Sequence, residues 1–72
     1  MQPKLPEALI ARLRETGQPP PWRARLHLRR GRTVYGIEID ADGSLKRVNG
    51  RAVYSEGDIG FPLNSIVDVS VA

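Results

Sequence analysis

The chain has 72 residues, which is enough for one domain over residues 1–72 and too few for a deep substrate cavity. It has no cysteine, which excludes disulfides and thiolate metal sites, and its one histidine, His27, cannot supply a conventional zinc site. The net charge of +3 is unevenly distributed. Residues 1–36 carry eight basic and two acidic residues, whereas residues 37–72 carry three basic and six acidic residues. This asymmetry predicts an anionic partner or head-to-tail self-association.

The sequence contains no signal for a membrane or for export. No segment approaches the roughly 18 consecutive apolar residues of a membrane-spanning helix. The N-terminal residues Met1–Glu7 have no apolar run typical of a signal peptide. We therefore expect a cytoplasmic protein with no membrane partner.

A short helix is predicted over about residues 6–16. Leucines recur every four residues along this segment, at Leu5, Leu9 and Leu13. Pro6 suits the first helical position, and Gly17 suits the left-handed conformation that ends many helices. Because three turns are marginal in water, the helix must pack on the rest of the domain or fray. Residues 18–21 form a stiff proline-rich linker, which is alternatively a proline-rich ligand for an aromatic groove.

The apolar period changes to two at Trp22, which predicts a β-hairpin with Gly31 at the centre of its turn. Counting outward from the turn gives the register. Four pairs lie on the apolar side: Leu28 with Thr33, Leu26 with Tyr35, Ala24 with Ile37, and Trp22 with Ile39. On the polar face, Arg23 lies opposite Glu38.

Three further strands are predicted in the second half of the chain. Residues 40–43 form a turn by composition, and a short strand follows near residues 44–48. Asn49-Gly50 is a strong hairpin signal that leads into a strand over residues 51–55. After a loop containing Phe61, the last strand covers residues 66–71. We therefore predict a mainly β fold, in which an N-terminal helix is followed by a five-stranded antiparallel small β-barrel over residues 22–72.

The sequence offers little for catalysis or cofactor binding. His27 lies between two arginines on the polar face of the first strand, and local sequence places neither a serine nor a carboxylate beside it, so we expect a freely solvated histidine. Asp40-Ala41-Asp42-Gly43-Ser44 resembles the start of a calcium loop, but lacks the further acidic ligands and suits a plain turn. We expect no enzyme activity, no cofactor, no metal and no small-molecule substrate.

The basic residues form the one surface feature that suggests a partner. Arg23, Arg25 and Arg29 share a strand face, and Arg30 and Arg32 lie at its hairpin tip. Lys46, Arg47 and Arg51 flank the next hairpin. Such a ridge suits a nucleic-acid backbone, or it is a solvated face whose charges pair with Glu38 and Asp40. Tyr54 and Phe61 are the aromatic candidates for base stacking, since the register places Trp22 and Tyr35 in the core.

Residues 22–72 resemble the Sm-like family, including its bacterial members that act on RNA. The likeness lies in the run from Ala24 to Asp40, where an apolar strand and a glycine turn are followed by a strand with a glycine and then an acid. Gly36 matches the family glycine that lets the long second strand bend. The resemblance implies a five-stranded SH3-like barrel, ring assembly through exposed strand edges, and single-stranded RNA as partner.

The chain departs from this family in its second motif, which is not recognisable. Where bacterial members carry a Lys-His pair before the last strand, this chain has Leu63-Asn64. No base-binding residue is therefore carried over from the family. Two functions remain open: binding of single-stranded RNA or another polyanion through the basic residues, and protein interaction or self-association through the edge strands 52–55 and 66–71.

Overall fold

The computed structural model describes all 72 residues. It contains one α-helix and five strands, which form a single antiparallel sheet. In chain order these elements are α1 (Glu7–Glu15), β1 (Trp22–Leu28), β2 (Thr33–Ile39), β3 (Leu45–Val48), β4 (Arg51–Ala52) and β5 (Ile66–Val71). The sheet order is β4-β3-β2-β1-β5, with β4 and β5 as unpaired edges, so the sheet is not closed. The predicted mainly β fold with an N-terminal helix and five antiparallel strands is confirmed.

Helix α1 packs on the sheet, as expected of a helix too short to be stable alone in water. Leu9, Ile10 and Leu13 are buried in the core. Pro6 precedes the helix with an extended backbone, and its carbonyl accepts the first helical N–H bonds. The expectation that Pro6 fills the first helical position is therefore wrong by one residue. Gly17 has a φ of +74° just beyond the helix, as predicted. The helix has nine residues and is neither long nor apolar enough to span a membrane.

The register of the first hairpin is confirmed in the half far from the turn. Three predicted pairs are present: Trp22 with Ile39, Arg23 with Glu38, and Ala24 with Ile37. Nearer the turn the prediction is wrong, because Leu26 pairs with Val34 and His27 pairs with Thr33.

A β-bulge causes this shift of register. Between the pairs that Ala24 and Leu26 make, β1 contributes one residue, Arg25, whereas β2 contributes two, Tyr35 and Gly36. Gly36 has a φ of +68°, a conformation that glycine adopts without strain. The bulge turns Tyr35 away from the core, so that 59% of its surface is exposed.

The N-terminal segment pairs with the residues that precede β3, which the sequence pattern does not indicate. The backbone N–H of Leu45 donates to Pro3 at 2.8 Å, and the N–H of Leu5 donates to Gly43 at 3.0 Å. Gly43 has a φ of +88°, and a Cβ there would overlap the side chain of Ile10. This close approach fixes the N-terminus and α1 against the start of β3.

The turns of the second half form as predicted. The N–H of Gly43 donates to Asp40 at 2.9 Å, which closes the turn before β3. The N–H of Ser44 donates to the Asp42 carboxylate at 3.0 Å and lowers the pKa of that carboxyl. Asn49 and Gly50 both have positive φ, at 52° and 80°, in the hairpin between β3 and β4. β4 is shorter than expected and ends at Ala52 rather than Ser55.

Candidate nucleic-acid interface

Three arginines lie at the exposed turn between β1 and β2. Arg29, Arg30 and Arg32, which we call the tip arginines, are all exposed. The structure contains three ion pairs, and none of them involves a tip arginine. Arg30 has a φ of 65° in the short 3₁₀ turn between the strands. The turn therefore presents three cations with no acidic side chain to offset their charge.

The tip arginines continue into two arginines on the outer face of β1, and we call these five residues the basic face. Arg23 is exposed, whereas Arg25 is half-buried. The Arg25 guanidinium extends toward β5, where its Nη2 lies 3.5 Å from the carbonyl oxygen of Val71, while its Nε is buried without a partner. We therefore expect Arg23 and the tip arginines to be better placed than Arg25 to bind a phosphate.

Tyr35 joins the basic face through the bulge. The Ala24 and Leu26 side chains point into the core, so Arg25 between them points outward. Tyr35 lies opposite Arg25 and is exposed. The expectation that Tyr35 faces the core is therefore wrong. The sequence did carry a signal for this change, because an isolated glycine within a strand pattern often marks a bulge.

The two aromatic residues expected to stack on bases differ in exposure. Phe61 is 6% exposed and belongs to the core cluster, so the expectation that it stacks on a base is wrong. Tyr54 is 73% exposed but lies beyond β4, at the sheet edge farthest from β1. The Asp58 carboxylate accepts the N–H groups of Tyr54 and Ser55 at 2.9 and 3.0 Å, and these bonds lower its pKa.

The basic residues near the second hairpin are mostly paired. Lys46 Nζ lies 3.7 Å from an Asp40 carboxylate oxygen, and Arg47 Nε lies 3.8 Å from a Glu38 oxygen. Only Arg51, at the start of β4, lies outside the ion pairs. The structure therefore separates the predicted basic residues into an unpaired group on β1 and the turn that follows it, and a largely paired group on the β3–β4 hairpin.

The fold gives His27 a polar partner that local sequence does not. Its Nε2 lies 2.8 Å from the hydroxyl oxygen of Ser70 on β5, and the ring is half-buried. Asp68 lies opposite His27 in the ladder, but its carboxylate accepts bonds from Arg12 at 2.9 Å and from the Val69 N–H at 2.8 Å. The expectation of a freely solvated histidine is therefore wrong. The geometry makes the His27–Ser70 bond a link between β1 and β5.

The outer edge of β5 is partly occupied by side chains. The N–H of Ala72 donates to Arg23, and alternation along an antiparallel ladder then directs the Val69 N–H away from β1. That N–H is the one bound by Asp68, which Arg12 of α1 holds in turn. Because this charged pair already occupies an N–H at the sheet edge, it hinders another strand from pairing there.

A cavity of about 310 Å³ opens on the outer face, beside Arg23. Oppositely charged residues lie side by side on three neighbouring strands there, because Glu38 of β2 is opposite both Arg23 of β1 and Arg47 of β3. Gly36 and Gly50 also line the cavity and contribute no side chain to it. The sequence pattern predicted the pairing of Arg23 with Glu38 but gave no indication of a cavity.

No protein-family model, curated protein or solved structure matches the chain.

Proposed function

We propose that the chain binds single-stranded RNA through the basic face and Tyr35. The tip arginines and Arg23 bind phosphate oxygens with their guanidinium groups, which suit bidentate contacts. Tyr35 provides a ring on which an unpaired base stacks. The positive half of the chain supplies the field that brings the strand to this face.

The observation that carries this proposal is the exposed Tyr35, which lies opposite Arg25 of the basic face. A ridge of arginines alone attracts any polyanion, duplex or single-stranded. An exposed aromatic ring next to that ridge adds a contact that only an unstacked base can make. The combination therefore favours a single strand over a duplex.

We further infer that the chain is an Sm-like small barrel. The sheet order β4-β3-β2-β1-β5 supports this inference, since it leaves β4 and β5 as the two strands that would meet on closure. Gly36 supports it too, because its positive φ and the bulge lie where the resemblance expects the second strand to bend. Closure would require contacts between the β4 and β5 edges.

The proposal is tested by fluorescence anisotropy with labelled hexauridine at about 50 and 150 mM salt. We expect saturable binding that persists at the higher salt concentration. Arg29→Ala should weaken binding to hexauridine and hexaadenosine equally and reduce the salt slope by about 0.7, the value for one phosphate contact on a single strand. Arg14→Ala is the matched control, because it removes an exposed arginine from α1. Binding that vanishes at 150 mM salt, or that both variants weaken equally, would contradict the proposal.

A second candidate function is protein interaction or self-association through a strand edge. The unpaired edges of β4 and β5 favour it, and Val67 on β5 is 55% exposed. Since Asp68 and Arg12 hinder pairing at β5, we expect β4 to be the more accessible edge. Multi-angle light scattering separates the alternatives: a salt-sensitive dimer supports this function, whereas a ring of six or seven copies supports the Sm-like assembly.

A further inference from the structure

We propose that the cavity beside Glu38 holds one guanine base of the bound strand, an inference that rests on the proposed function. The cavity volume of about 310 Å³ lies at the small end of ligand sites, which suits a single base and not two stacked bases. It adjoins the basic face through Arg23, which belongs to both. A strand whose phosphates follow the basic face therefore passes the mouth of this cavity.

The backbone shapes this cavity where glycines line it. Gly36 lines the cavity, and a Cβ there would be crowded by Asn49 at 3.2 Å. At Gly50 a Cβ would meet no atom within 4 Å, so there is open space beside it. A flat base can therefore approach the backbone closely at Gly50.

Glu38 is the one acidic side chain in the cavity lining, and its carboxylate is the group that distinguishes bases. Its Oε1 lies 3.8 Å from Arg47 Nε, and the side chain is 32% exposed. Arg47 Nη1 also lies 3.5 Å from the carbonyl oxygen of Gly50. Arg23 and Arg47 lie opposite Glu38 on the two neighbouring strands. At 3.8 Å the Arg47 Nε is beyond hydrogen-bonding distance, so both carboxylate oxygens remain available as acceptors.

The chemistry of a carboxylate favours guanine among the four RNA bases. An ionised carboxylate only accepts hydrogen bonds, and its two oxygens match two parallel donors. Guanine presents such a pair on one edge, its N1–H and its 2-amino group. Adenine and cytosine each place an acceptor nitrogen beside their amino group, and uracil flanks its one N–H with two carbonyl oxygens. These acceptors would face the carboxylate and repel it.

The test uses the whole chain and three labelled hexamers that differ at one position: uridine strands with guanosine, adenosine or inosine third. We expect the guanosine strand to bind at least about fivefold more tightly than the adenosine strand, which corresponds to about 1 kcal/mol for one bidentate base contact. Inosine keeps the N1–H and lacks the 2-amino group, so its affinity should lie between the two.

Substitutions at two acidic residues test whether the Glu38 carboxylate causes the preference for guanosine. Glu38→Gln keeps the shape and replaces one acceptor by a donor, so the guanosine preference should fall to less than twofold. Asp40→Asn is the matched control, because Asp40 is a paired acid nearby that does not line the cavity. It should keep the full preference. NMR spectra of both variants check that the fold is retained.

The outcomes separate this inference from the proposed function. If hexauridine itself does not bind at 150 mM salt, the proposed function fails. If hexauridine binds but guanosine adds nothing, or if Glu38→Gln keeps the preference, this inference alone is overturned. Titration with guanosine 5′-monophosphate distinguishes a free nucleotide from a base in a strand. Binding of the free nucleotide as tight as that of the guanosine hexamer would overturn the assignment to a strand.

Discussion

The β1–β2 and β3–β4 hairpins both carry basic residues, but they differ in what lies opposite those residues. The tip arginines of the β1–β2 hairpin have no acidic partner. In the β3–β4 hairpin, Lys46 pairs with Asp40, which follows β2, and Arg47 pairs with Glu38 of β2. The same residue types therefore form an unpaired cationic surface in one place and a largely neutralised one in another.

The difference originates within β2. Its first residues, from Thr33 to Gly36, contain no acid and lie nearest the tip arginines. From Ile37 onward the strand carries Glu38 and is followed by Asp40, and this part pairs with β3. The boundary between the positive and negative halves of the chain thus coincides with the bulge at Tyr35 and Gly36. Local placement of acids, more than the net charge of +3, decides which arginines are available.

The largest expected effect comes from removing the tip arginines together. Substitution of all three by alanine should weaken hexauridine binding by about 100-fold near 0.1 M salt and reduce the salt slope by about 2, since each single-strand contact contributes about 0.7. Substitution of Lys46, Arg47 and Arg51 by alanine should cost less than about fivefold. Anisotropy titrations across a salt series measure both quantities, and equal losses for the two triple variants would contradict the comparison.

Tyrosine substitutions sharpen the comparison with a smaller effect. Tyr35→Ala should weaken hexauridine binding by about fivefold, near the lower end for loss of one stacked base. Tyr54→Ala should leave binding unchanged, although Tyr54 is the more exposed ring. Tyr35→Phe is the matched control, because it keeps the ring and removes the hydroxyl. Equal losses at the two tyrosines would place the strand elsewhere on the sheet.

The sequence predicts most of the fold because its local signals are strong. Gly17, the period of two from Trp22 and the Asn49-Gly50 turn each specify a backbone conformation that the structure contains. Three cross-strand pairs of the first hairpin are also correct, since apolar alternation fixes which face is buried. These features depend on residues close to one another in the chain.

The rest depends on contacts between distant segments or on one inserted residue. Alternation cannot reveal that the bulge shifts which residues face the core, so the sequence pattern places Tyr35 in the core. Phe61 lies in a loop with no period, and only the packed structure shows that it is buried. The pairing of Pro3 with Leu45 and the contact of His27 with Ser70 join residues about 40 positions apart. The candidate site is therefore less predictable than the fold.

A modest gain of affinity is expected when the second hairpin is released from its acids. The double substitution Glu38→Gln and Asp40→Asn leaves Lys46 and Arg47 without partners. Exposed ion pairs contribute about 0.2–1 kcal/mol, so hexauridine binding should strengthen by about two- to fivefold. Anisotropy at low salt measures the change, and a salt series should show a steeper slope. An unchanged affinity would mean that the β3–β4 hairpin lies out of reach of the strand.

The smallest effect concerns the loop that holds Tyr54. The N–H groups of Tyr54 and Ser55 lower the pKa of Asp58 below the ordinary value of 3.8. Because the folded pKa is the lower one, the stabilising contribution of these bonds is present above pH 3.8 and is lost as pH falls through the folded pKa. An NMR pH titration should show the amide signals of Tyr54 and Ser55 moving together with a midpoint below 3.8.

Asp58→Asn should abolish that movement and leave hexauridine binding at neutral pH unchanged, because the loop lies away from the basic face. A midpoint above 3.8 would mean that the two N–H bonds do not favour the ionised carboxylate in solution. A loss of RNA affinity in this variant would instead join the Tyr54 loop to the binding surface. The contrast between Tyr54, an exposed ring in a separate loop, and Tyr35, an exposed ring on the basic face, would then no longer hold.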